Sequence, residues 1–212
     1  MTNPHRALIL VDVQQEYFDG PLEIQFPPHA DSLPRITAAI DAAIAAGLPI
    51  AAIQHSAGEG APAFDPIRDR FALHPEVESR ANTEWKRIVK AHAAVFSGTD
   101  LLDWLRAQDV DTITLVGYMT NNCIIASAAE AETHGLATEV LSDATGAIHI
   151  SNDAGFVDAE TLHTTLMILL HSNFAAVATT QHWIDAVSVG ASVPVGNLGQ
   201  SAQMGAQQAA KR

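Results

Sequence analysis

The chain has 212 residues, 48% of them hydrophobic and 17% charged, which is enough apolar content for one ordinary core and excludes extensive disorder. Its formal net charge of −13 argues against nucleic acid and anionic membranes as partners and points to a small-molecule ligand. One cysteine makes no intramolecular disulfide, the N-terminus lacks the apolar stretch of a signal peptide, and no apolar run reaches membrane-spanning length, so a cytoplasmic protein is expected.

Residues 7–12, ALILVD, form a continuous apolar run that ends in an acid. Such runs suit strands buried on both faces, and they recur at 49–54, 112–117 and 174–179. Helical spacing occupies the intervals: 30–46, with Leu33, Ile36, Ile40 and Ile44 on one face, then 100–107, 123–134 and 158–171. Gly47 and Gly135 stand where helix C-caps are expected. The alternation predicts an α/β fold, a mostly parallel central sheet with helices on both faces. Residues 56–84 contain a Gly- and Pro-rich loop and weak periodicity, which predicts an irregular excursion across the surface or over an active site. Residues 1–195 are expected to form the domain, and 196–212 a polar tail that frays or docks on a partner subunit.

Ligands of open α/β sheets bind at the carboxyl ends of strands. Three residues at such ends carry chemistry: Asp12 after LILV, Lys90 closing RIVK, and Cys123 just past TITLVG at the start of a helix. Singly, each has an ordinary explanation as a cap, a solvated cation or a small buried side chain. Together they make a reaction centre. A helix N-terminus and a neighbouring ammonium lower a thiol's pKa, and a carboxylate takes its proton. A turn between Gly117 and Cys123 aims backbone N–H groups at a developing oxyanion.

Three motifs, LILVDVQQEYF, IVKAHAAVFSGTDL and VGYMTNNCI, occur in an order that resembles the isochorismatase-like cysteine hydrolases, over roughly residues 5–182. The resemblance implies a Rossmann-like three-layer sandwich, with Cys123 as nucleophile, Asp12 as general base and Lys90 as the cation that supports both. It also implies a non-proline cis peptide between Tyr118 and Met119, with the amides of Met119 and Cys123 forming the oxyanion hole. By motif position Gln14 and Tyr17 line the site, with Phe18 beside them. Tyr118 and His55 complete the expected substrate contacts. Nicotinamidases carry Asp-x-His after the second strand, whereas Ile53, Gln54 and His55 stand here. No metal and no cofactor are therefore expected, and His163 and His171, eight apart, do not have zinc-site spacing. A homo-oligomer, dimer or tetramer, is expected from the same resemblance.

The first functional expectation is hydrolysis of a small amide, ureide or related C–N bond through a thioester. The alternatives are acid-assisted vinyl ether cleavage of the isochorismatase type, with Asp12 as proton donor, and a redox role for the lone thiol.

Overall fold

A computed structural model describes residues 3–211. Six parallel strands form the central sheet: β1 (Arg6–Val11), β2 (Ile50–His55), β3 (Lys86–Lys90), β4 (Thr112–Tyr118), β5 (Ala137–Gly146) and, after a separate hairpin of β6 (Ile150–Asn152) and β7 (Gly155–Val157), β8 (Ala176–Ala178). Their spatial order is β3-β2-β1-β4-β5-β8. The order of progression reverses between β1 and β4, which opens a crevice at the carboxyl ends of those two strands.

Helices cover both faces. Alternate residues of β1 point to opposite sides. Leu8 and Leu10 join the core under α1 (His29–Ala45) and α6 (Thr180–Ser188), while Ala7, Ile9 and Val11 join the core under α3 (Leu101–Ala107), α4 (Ile125–Thr133) and α5 (Ala159–Leu169). Because both faces are covered, β1 and β4 are buried along their whole length, as continuous apolar runs require. Within α1 the apolar stripe is narrower than its spacing suggests: Ile36 and Ile40 are buried, Leu33 is partly buried, and Ile44 is exposed near the helix end.

One buried polar network ties the opposite, amino ends of the strands. Arg6 makes a bidentate contact with Glu139, and the carboxylate also accepts from Thr114 Oγ1 and Trp183 Nε1. Four donors satisfy one buried acid, so the strand tolerates it. The segment 56–84 contains only the short helix α2 (Pro75–Glu78) and one 3-10 turn, and it folds back over the ends of β1 and β2. The last segment is helical, α7 (Leu198–Ala209), and none of its side chains is buried. Among the described residues no helix is long and apolar enough to cross a membrane.

One crowded position lies where β1 and β4 meet at the base of the crevice. Gly117 has φ +105°, and a Cβ there would lie 2.1 Å from the carbonyl oxygen of Val11. Only glycine lets β4 approach β1 this closely. Gly117→Ala is therefore expected to lower stability by at least about 2 kcal/mol, from overpacking plus a strained φ. Gly135→Ala, where φ is +73° but a Cβ meets nothing within 4 Å, is expected to lose only about 1 kcal/mol. Urea unfolding of both variants checks this, and equal losses would contradict the packing argument.

Candidate active site

Asp12, Lys90 and Cys123 converge at that crevice. Asp12 follows β1 directly, and its amide donates to the Ile53 carbonyl, which pins the turn to β2. Its φ of +50° turns the carboxylate away from the strand direction. Lys90 closes β3 and reaches inward, with Nζ 2.7 Å from Asp12 Oδ2 and 3.3 Å from Cys123 Sγ. The same ammonium donates to the His92 carbonyl at 3.1 Å and to His55 Nδ1 at 3.4 Å. Neither Asp12 oxygen accepts a well-aligned hydrogen bond from protein, so the contact with Lys90 is a close ion pair rather than an aligned bond.

All three groups are withdrawn from solvent: Asp12 is 0% exposed, Lys90 1% and Cys123 3%. Burial decides their electrostatics. It raises Asp12 above the usual carboxylate range, and Lys90 opposes the rise. Burial, and then the Asp12 carboxylate, push the Cys123 thiol up to about 12, with Lys90 again working the other way. This corrects the expectation that the cation and the helix start hold the sulfur ionised. In a site this dry the resting group is the thiol.

The turn that carries Cys123 is built from two sides. The Tyr118–Met119 peptide is cis. Residues Thr120–Ile124 then form a wide π-type turn into α4, in which the Met119 carbonyl accepts from the Asn122 and Ile124 amides, both at 3.1 Å. Ser127 Oγ donates to the Cys123 carbonyl at 2.6 Å and accepts from the Val95 amide. That bond couples the turn to the segment 95–99, whose Thr99 hydroxyl donates to the Val95 carbonyl.

The residues expected to contact substrate divide into two groups. Tyr17 and Phe18 pack around the cavity side of Tyr118, with ring centroids 5.5 and 5.7 Å from it. Burial, and then the Asp12 carboxylate, raise the Tyr17 phenol well above the usual range. His55 is half-buried beside Lys90, and burial followed by that cation lowers its pKa, so the ring is neutral. Gln14 and Tyr118 are committed elsewhere. The Gln14 amide donates to the carbonyls of His55 and Phe71 and accepts from the His55 amide, which leaves it bracing the wall. The Tyr118 hydroxyl is bonded to Ser32 Oγ at 2.8 Å on the α1 side. Phe64 packs beside these residues, with its ring centroid 5.3 Å from Tyr17 and 5.1 Å from His55. Phe64, with Phe71, His74 and Trp85, is one of the aromatic residues by which the sequence of the 56–84 region suggests a partly aromatic pocket, and its φ is +55°.

Among the described residues no group of three or more His, Cys, Asp or Glu is placed to hold a metal ion. The isochorismatase domain model matches residues 6–182. The chain belongs to the isochorismatase family. A crystal structure of an isochorismatase candidate from Burkholderia xenovorans LB400 is 43% identical, covers 99% of this chain and 100% of its own, and superposes with a TM-score of 0.95. An uncharacterized isochorismatase-family protein of Bacillus subtilis, YrdC, is 28% identical across 85% of this chain and 95% of its own. Nicotinamidase/pyrazinamidase of Mycobacterium tuberculosis is 38% identical over 77 residues, 36% of this chain and 40% of that one.

Burial lowers three histidines, His55, His74 and His163, below the ordinary value of 6.5. A depressed folded-state pKa means that the unfolded chain binds more protons, so stability is fully present above pH about 6.5 and is lost as pH falls through the folded values. Asp12, which burial raises, works in the opposite direction, so the histidine share is read by difference: between pH 7.5 and 5.5 wild type is expected to lose more unfolding free energy, or gain less, than His163→Gln. Equal changes in the two proteins would contradict these environments.

Proposed function

We propose that this isochorismatase-family protein hydrolyses a small amide, ureide or related C–N bond through a thioester on Cys123. The observation that carries the reading is the buried contact of one ammonium with both a carboxylate and a thiol, at 2.7 and 3.3 Å. The local similarity to a nicotinamidase, an amide hydrolase by name, agrees with it.

Burial pushes the Cys123 thiol up, so the proton leaves sulfur during attack rather than before it. The Sγ proton passes to Asp12 as sulfur attacks the carbonyl carbon. Lys90 keeps its charge throughout, stabilising the carboxylate before transfer and the sulfur during it. The oxyanion is held by the amides of Met119 and Cys123, and removing one such donor costs on the order of 3 kcal/mol in comparable sites. Asp12 returns its proton to the departing amine. Water then enters, gives a proton to the Asp12 carboxylate and cleaves the thioester, releasing the acid and restoring the thiol.

Phe64, Tyr17, Phe18 and neutral His55 give the cavity an apolar, partly aromatic wall, and a small, weakly charged substrate fits it. Because the reaction centre is closed, the segment around Phe64 has to move for substrate to enter.

The raised Asp12 pKa favours a second reading, in which the protonated acid assists vinyl ether cleavage and sulfur is not used. One variant separates the two. In a screen of small amides and ureides, wild type is expected to release ammonia or amine and to accumulate an acyl adduct on Cys123 visible by mass spectrometry. Cys123→Ala is expected to lose more than about 10⁴-fold in turnover. Retained turnover in Cys123→Ala would transfer the chemistry to Asp12 alone and end the thioester proposal.

A further inference from the structure

His163 is the most deeply buried histidine of the chain that the chemistry above leaves unused. It lies on α5, is 4% exposed, and uses both ring nitrogens: Nε2 is 3.0 Å from the Ser142 carbonyl and Nδ1 is 3.0 Å from Thr120 Oγ1. A carbonyl only accepts, so Nε2 carries the proton. In the neutral ring Nδ1 is then a lone-pair acceptor, and the Thr120 hydroxyl has to donate to it. Neither partner has a second choice.

We propose that His163 is a positioning residue, which fixes Thr120 and through it the turn that presents Met119 and Cys123. The proposal rests on the reading of Cys123 as nucleophile. Thr120 follows Met119 directly and opens the turn, whose other end is already tied by Ser127 to the Cys123 carbonyl. The His163 bond is the matching strut at the first end. Its far support is rigid: Ser142 lies in β5, and its own hydroxyl donates to the Ala178 carbonyl of β8. Phe26 meets the imidazole at 5.7 Å in an edge-on arrangement and limits its rotation.

A core filler would be apolar, because a buried imidazole has to recover its desolvation through two good bonds. What it gains here is a fixed direction for one hydroxyl. Misplacing a reacting group by about 1 Å costs on the order of 10²-fold in rate, so a strut of this kind acts on turnover more than on affinity.

The test compares Thr120→Val, His163→Leu, their double variant, and His163→Gln, whose amide supplies one donor and one acceptor. Two readouts are taken on folded protein: kcat and KM on an amide that wild type turns over, and the pH dependence of Cys123 alkylation by iodoacetamide. Thr120→Val and His163→Leu are each expected to lose about 10- to 100-fold in kcat with KM changed less than about threefold. The double variant is expected to be no worse than the weaker single one, because both remove one bond. His163→Gln should recover most of the loss. The alkylation profile should move to lower pH in the two single variants, as sulfur leaves its dry position. If His163→Leu does not fold, Thr120→Val, which loses one hydroxyl, carries the test alone. A Thr120→Val enzyme with kcat within threefold of wild type, losses that multiply in the double variant, or an alkylation profile unchanged in folded Thr120→Val would each overturn the proposal. Should wild type turn over no amide, the hydrolase reading fails and the alkylation profile still decides this one.

Discussion

The structure depends on a carboxylate and an ammonium held together without solvent: Asp12 and Lys90, 2.7 Å apart and both with 0% side-chain exposure. Removing two charges from water costs several kcal/mol per ion, and their attraction offsets that only with good geometry and further partners. The partners are present. Lys90 finds a carbonyl, an imidazole nitrogen and a sulfur for its three hydrogens. Everything else at the site follows from keeping this pair dry. Phe64 packs against His55 beside it, Gln14 braces the two strand ends, and β1 and β4 approach closely at Gly117 beneath it.

Dryness also sets the proton inventory. In water an ammonium beside a thiol favours thiolate; here burial outweighs it and the sulfur keeps its proton, with Asp12 as the nearest base. In the proposed mechanism such a centre is quiet until a substrate carbonyl arrives, because charge then moves from oxygen to sulfur to oxyanion inside one enclosed set of dipoles. The sheet supplies the geometry. Asp12 and the turn that carries Cys123 come from adjacent strands on either side of the switch point, and Lys90 comes from the edge strand two places from β1. Three residues separated by up to 111 positions along the chain, Asp12 to Cys123, therefore meet at one end of one sheet.

Much of this was legible in the sequence. Continuous apolar runs mark β1, β2 and β4, because strands covered on both faces have no polar side to display. Motif order located Asp12, Lys90 and Cys123. Other parts were hidden for identifiable reasons. β5 contains a buried glutamate, Glu139, whose acceptability depends on Arg6, 133 residues earlier. Gln14 reads as a ligand contact by motif position, yet its bonds go to main-chain atoms of His55 and Phe71, which only the folded loop brings near. The sign of the thiol shift could not be read from neighbours along the chain, since it is decided by how completely three distant segments exclude water. His163 gives no local signal because its partners come from two other elements.

The most direct measurement is the infrared S–H stretch of the only cysteine, taken at neutral pH as a difference between wild type and Cys123→Ser. A resolved S–H band that persists well into the alkaline range is the result predicted for a thiol held protonated beside an ionised Asp12–Lys90 pair. Absence of the band at neutral pH would show a standing thiolate and contradict the account of the site.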